Sequence, residues 1–287
     1  MTVPPAPGAE GAAEAALRLR PLAFGELLDE IFRIYRRHFG LLVAISLLLA
    51  LPVLVTQIFG GQAEQLAFTA AFFTGLLTQS TAALAAPPQP NLLWYASFYL
   101  VTFLLALFTA GAVTLAAIEV MLGRPATLLS TLAGTLRRYL ALLAQVLIYV
   151  LAVVPALLCL PVAAWIFIRW SVAVPALLAE GIGPVQALRR SWELTRGHWW
   201  RLFGILVVVY LLAYVVSSVL GIFALPLAIL VPFVPDVVRG AVALTVTTLA
   251  SALVAPIEYL CVVLLYFDLR VRKESFDLDQ LAEAAAS

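Results

Sequence analysis

At 287 residues, with 64% apolar and only 11% charged side chains, the chain carries more hydrophobic surface than a soluble globule of its size could bury. The formal net charge of +1 says nothing of partners, because the charges are segregated by side, and no basic stripe outside the membrane-flanking segments points to nucleic acid. Two cysteines, Cys159 and Cys261, in or beside apolar runs, exclude a disulfide-built fold and read as small apolar fillers.

Residues 1–20 are rich in Pro, Ala, Gly and Glu and are expected to form a disordered tail. They are no cleavable signal, because the first apolar run starts only at Leu41. Phe24, Leu27, Leu28, Ile31, Phe32, Tyr35 and Phe39 follow helical spacing, with charges mostly opposite, which predicts an amphipathic helix. A first span is predicted over 41–59. The mildly apolar 66–86 reads as an outer loop with an interfacial helix, ended by Pro87 and Pro88. A second span is predicted at 92–121. Pro125 then leads a second amphipathic helix through Leu128, Leu129, Leu132 and Leu136 to Arg137 and Arg138. The apolar run from Leu140 to Ala179 is too long for one crossing, so a turn at Pro161 divides it into 140–158 and 162–179. Pro184, Val185, Leu188, Trp192 and Arg196 outline a third amphipathic helix stopped by Gly197. Spans at 202–224 and 241–267 complete a membrane domain over 21–270, followed by a C-terminal tail at 271–287.

Charge supplies the topology. Fifteen of the 17 Arg and Lys residues fall before the first span, in the second and fourth gaps, or after the last span. Cytoplasmic loops retain Lys and Arg, so both termini and the even gaps are expected inside. The predicted fold is all-α: a polytopic bundle of six transmembrane helices with three cytoplasmic interfacial amphipathic helices, built as three similar units. The excess of Arg over Lys and the abundance of Ala suggest a bacterial genome, hence a bacterial cytoplasmic membrane.

Two charges stand inside the spans. Arg169 lies 11 residues before Glu180, and Glu258 lies 10 before Asp268. At about 1.5 Å per residue both sit roughly 15 Å from the inner surface, where a lone charge costs at least ~2.5–3.5 kcal/mol. An Arg169–Glu258 pair is therefore predicted. It is either a fixed ion pair that sets helix register or a ligand site beside the helix breaks at Pro175 and Pro256. Arg36, Arg37, Arg137, Arg138, Arg189, Arg190, Arg196 and Arg201 are candidate contacts to lipid headgroups. His38 and His198 sit at helix–span junctions and make no metal site.

No metalloprotease, nucleophile-elbow, phosphate-loop or paired-cysteine motif is present, and no cofactor is implied. Three blocks carry a family resemblance. They are Arg20-Pro21-Leu22 with Gly25-Glu26-Leu27-Leu28 and Tyr35-Arg36-Arg37-His38-Phe39; Ala187 to Trp192 with Leu194 to Trp199; and Leu265 to Arg272 with Phe276-Asp277-Leu278. Over about residues 20–280 the chain resembles the membrane-domain family named after glycerophosphoryl diester phosphodiesterase, and related bacterial integral membrane proteins. That family is sometimes joined to a separate soluble barrel that carries the catalytic histidines and metal-binding acids. Six spans leave no room for one here, so the resemblance implies a membrane module with no catalytic residue to carry over. The expected function is a non-enzymatic, lipid-interacting or scaffolding module with anionic lipids as partners. A protein partner or a separately encoded soluble enzyme is a further expected partner, nucleic acid is not. The rival is a small transporter or lipid-handling protein using Arg169 and Glu258.

Overall fold

The computed structural model describes residues 23–61, 68, 72, 92–222 and 235–286. The regular elements among those residues are all helices: α1 (Phe24–Arg37), α2 (Phe39–Phe59), α3 (Leu92–Met121), α4 (Leu128–Ala156), α5 (Leu160–Arg169), α6 (Ala173–Glu180), α7 (Pro184–Thr195), α8 (Trp199–Ile222) and α9 (Asp236–Ala286). Six helical stretches are long and apolar enough to cross a membrane: Phe39–Phe59, Leu93–Met121, Leu128–Ala156, Leu160–Glu180, Trp199–Leu220 and Gly240–Glu274. The six predicted spans are thus present. The predicted tail before α1 lies outside the described residues, as does most of the 66–86 loop helix.

α1 forms where its periodicity placed it. The Glu26 carboxylate accepts from Ala23 N at 2.8 Å, and Leu27, Ile31 and Ile34 are buried. Its buried face meets α9 rather than lying free in a headgroup layer, and Tyr35 Oη donates to Leu253 O at 2.7 Å. Leu253 stands 15 residues before Asp268, about 22 Å along α9 at helical rise.

The second amphipathic helix is not a separate element. Thr127 caps α4 by accepting from Ser130 N, and the helix then runs unbroken past Arg137 and Arg138 to Ala156. Nothing between Arg138 and Leu140 stops a helix, whereas α1 ends at His38 and α7 at Arg196 with Gly197 at φ +90°. The fourth predicted span is itself divided into α5 and α6 by turns at Trp170 to Val172.

The core gathers toward the arginine-rich end. Leu27, Ile31, Leu42, Ile45, Ala112, Val113, Leu142, Ala176, Leu177, Leu194, Leu260 and Tyr266 are buried there, while Leu147, Leu151, Leu158 and Leu160 are exposed at the α4–α5 end. α3 and α4 approach closely at two glycines. A Cβ on Gly111 would stand 2.7 Å from Leu142 Cδ1, and one on Gly134 would stand 2.7 Å from Leu115 Cδ2. Small residues permit such approach where apolar burial gives helices no preference for each other over lipid tails.

Candidate functional site at the arginine-rich end

The break between α5 and α6 creates the site. At the break Ser171 N bonds Ile168 O and Ala173 N bonds Trp170 O, both shortened by one residue relative to an α-helix. The helical donor for Arg169 O is therefore diverted, and a carbonyl without a partner costs about 1–3 kcal/mol when buried. α7 supplies the replacement. Ser191 Oγ donates to Arg169 O at 2.8 Å. Thr195 Oγ1 has one proton and three carbonyls in reach, at 2.9 Å (Ser191), 3.2 Å (Trp192) and 3.3 Å (Arg169). Ser191 is accordingly the principal donor.

α7 can reach this carbonyl because the chain doubles back. Gly181 at φ +71° ends α6, Pro184 opens α7, and the two helices pack side by side. A parallel case occurs on the last span, where Tyr35 of α1 reaches Leu253 O. Tyr35 and Thr195 each stand three residues before a histidine, His38 and His198. The Tyr35 hydroxyl ties α1 to a carbonyl inside a span, whereas for Thr195 the span carbonyl of Arg169 is the farthest of three acceptors.

The Arg169 side chain lies over two tryptophan rings. Its guanidinium carbon is 5.3 Å from the Trp165 ring centre and 5.1 Å from that of Trp192, and the two rings meet edge to face at 4.7 Å. Trp165 and Arg169 are one turn apart on the same face of α5. Arg169 Nε and Nη1 are buried and find no hydrogen-bond partner.

The predicted Arg169–Glu258 contact does not form among the described residues. The reason is azimuthal. Phe167, on the opposite side of α5 from Trp165 and Arg169, faces Tyr210 of α8 at 6.3 Å. Tyr210, like Tyr259 and Cys261, lies near Glu258. Arg169 instead points to α7. Equal depth along two spans did not place the two charges on facing sides.

The charged belt uses several of the predicted headgroup arginines internally. Arg190 Nε meets Glu180 at 2.9 Å and its Nη2 meets Glu274 at 2.6 Å, while Arg270 also pairs with Glu274. Tyr266 Oη donates to the same Glu180 oxygen at 2.8 Å. Burial alone would lower the Arg190 pKa, but the hydrogen bonds and charges of Glu180 and Glu274 leave it raised. Arg201 and Arg272 share Asp268, whose side chain is fully buried. Arg138 donates to Leu177 O, and Lys273 donates to Glu193 O. Arg189 pairs with Glu193 on the exposed face of α7, and Arg36, Arg37, Arg137 and Arg196 are exposed. Burial and the neighbouring Arg272, Arg201 and Lys273 charges push the His198 imidazole below its ordinary value, while burial and Arg37 do so for His38. Cys159 is exposed and Cys261 buried, and both are free. Among the described residues no group of three or more His, Cys, Asp or Glu could hold a metal ion.

The segment containing the broken span, α7 and the ion-pair belt is the part that can be compared with known families. Residues 142–281 match the membrane domain of glycerophosphoryl diester phosphodiesterase. The matched membrane domain takes in Trp165, Arg169, Ser191, Trp192, Thr195 and Glu258, together with two of the three resemblance blocks. The block from Arg20 to Phe39 lies outside it. The match is to a membrane domain and not to a catalytic one. No curated protein and no solved structure matches the chain.

Sequence reasoning missed the tryptophan pair and the two hydroxyls of α7. The Trp165-x-x-x-Arg169 spacing was the available signal, since a cation one helical turn from an indole already has a partner. In the sequence Trp192 belongs to the apolar stripe of the third amphipathic helix.

Proposed function

We propose that this integral membrane protein is a non-enzymatic module of a bacterial cytoplasmic membrane, with both termini inside. Its arginine-rich end engages anionic lipid headgroups and offers a face to a protein partner, a separately encoded soluble enzyme being one such class. The supporting observation is the division of the arginines. The acids Glu180, Asp268 and Glu274 are engaged by Arg190, Arg201, Arg270 and Arg272. Arg36 and Arg37 on α1, Arg137 on α4 and Arg196 at the end of α7 face outward. Arg36, Arg137 and Arg196 thereby present positive charge from three elements, and each arginine near an anionic surface contributes about 1 kcal/mol.

The test is the anionic-lipid enrichment around purified protein in mixed phosphatidylglycerol and phosphatidylcholine micelles. Replacing Arg36, Arg37, Arg137 and Arg196 by Gln should lower that enrichment. The difference should vanish at about 1 M salt, where the screening length is about 3 Å. Equal enrichment for wild type and variant at low salt would defeat the lipid reading and leave the protein-partner reading to carry the face.

A further inference from the structure

We infer that Arg169, held by Trp165 and Trp192, is a binding site for a phosphate oxoanion carried by a membrane lipid or free in solution. Four observations converge on it. First, Arg169 is the one Asp, Glu, Lys or Arg between Arg138 and Glu180 in the sequence, so no neighbour on its own span neutralises it. Second, its Nε and Nη1 are buried with no acceptor, and Glu258 is not its partner. A guanidinium presents its N–H groups as a planar fork that matches two oxygens of one phosphate. Third, the fork is held in place before any ligand arrives. Two indole rings position the guanidinium, and Ser191 fixes the backbone carbonyl of the same residue.

The fourth observation is the level at which the site lies. Counting from Glu180 placed Arg169 deep in hydrocarbon, but α7 folds back to its level. The Arg189 and Glu193 side chains of α7 are 83% and 52% exposed, and such charges do not lie in lipid tails. The polar layer therefore reaches α7, and with it Trp192 and Arg169. On the other side Trp165 is 40% exposed on the apolar surface of the span. The guanidinium thus stands between an indole on an apolar face and an indole on a polar helix, the boundary at which lipid phosphates reside. This site is separate from the outward arginines of the proposed headgroup face. A phosphate bound here is shielded and resists salt, whereas contacts at Arg36, Arg37, Arg137 and Arg196 are screened away.

Native mass spectrometry of the full chain, released gently from its membrane, decides the matter. At about 1 M salt, wild type should retain one phospholipid per chain when phosphatidylglycerol is supplied in the micelles. Arg169→Gln should lower that retention at least tenfold. Arg169→Lys, which keeps charge without the fork, should fall between. A second arm titrates inorganic phosphate and follows tryptophan fluorescence, which Trp165 and Trp192 report directly. A response to inorganic phosphate with no retained lipid assigns the site to a soluble phosphate, and a retained lipid lost in Arg169→Gln assigns it to the bilayer. Wild type that retains no lipid and gives no phosphate response overturns the inference whatever the variants do. Equal salt-resistant retention by wild type and Arg169→Gln overturns it too, and leaves the cation a fixed staple between α5 and α7. Failure of the outward-arginine test would leave this result standing, because the two lipid pools differ in salt sensitivity.

Discussion

Asp268→Asn should cost the fold about 2–3 kcal/mol. The carboxylate has a side-chain exposure of 0% and is shared by Arg201 at 2.5 Å and Arg272 at 3.0 Å. Removing one member of a buried ion pair typically costs about 3–5 kcal/mol, because the partner charge is left without compensation. Here the two arginines each keep 24% exposure, so water takes over part of that role. Asparagine also keeps one carbonyl oxygen as an acceptor. Both effects lower the figure without abolishing it. The internal control is Arg189→Gln, which breaks a pair exposed at 83% and 52% and should cost no more than about 0.5 kcal/mol. The assay is thermal unfolding in detergent followed by tryptophan fluorescence, with Arg201→Gln and the double variant completing a cycle. If Asp268→Asn came within about 0.5 kcal/mol of Arg189→Gln, burial would not be what distinguishes the two pairs, and the reasoning would fall.

Removing the donors to Arg169 O should be unequal. Ser191→Ala should cost about 1–3 kcal/mol by the price of an unpaired buried carbonyl, and Thr195→Val less, because its single proton has other acceptors; equal losses in the same melt would refute the assignment. Gly181→Ala should lose about 1–2 kcal/mol, since the residue sits at φ +71° with Arg138 Nη2 3.0 Å from where a Cβ would stand; unchanged stability would mean that α6 ends without needing the left-handed turn. Stability should also fall with acidity. The His198 and His38 imidazoles are held below their ordinary value of 6.5, so the native state disfavours their protonation. Their contribution is present above about pH 6.5 and is lost as pH falls through the lower folded values. His198→Gln should flatten the fall in melting temperature below pH 6.5, and an unaltered profile in that variant would exclude His198 as its source.

Much of the bundle is written in two patterns that sequence shows directly, apolar run length and arginine placement. α1 and α7 were legible as well, because each carries an apolar stripe and a clear stop, His38 or Gly197. The second amphipathic helix failed where no stop exists: Arg137, Arg138 and Tyr139 all continue a helix, so stripe and span became α4. The site was legible only in part. Arg169 stood out because a charge among apolar residues is costly, but its partner did not follow from depth. Depth is a one-dimensional count, and contact also requires that two side chains point toward each other around their helix axes. The return of α7 beside α6 was hidden for a related reason, since Gly181 and Pro184 announce a turn without giving its angle.

The bond from Tyr35 to Leu253 spans 218 residues and joins the first described helix to the last. A chain made from its N-terminus exposes the buried face of α1 long before α9 exists. At about 5–20 residues per second that interval is roughly 10–45 s. Throughout it Leu27, Ile31 and Ile34 lack the cover that α9 provides. Biogenesis must therefore shelter α1, against the bilayer or an insertion factor, until the last span arrives. A ribosome that stalls before α9 leaves a chain whose opening helix has nothing to close on, which gives quality control a simple mark of an unfinished protein.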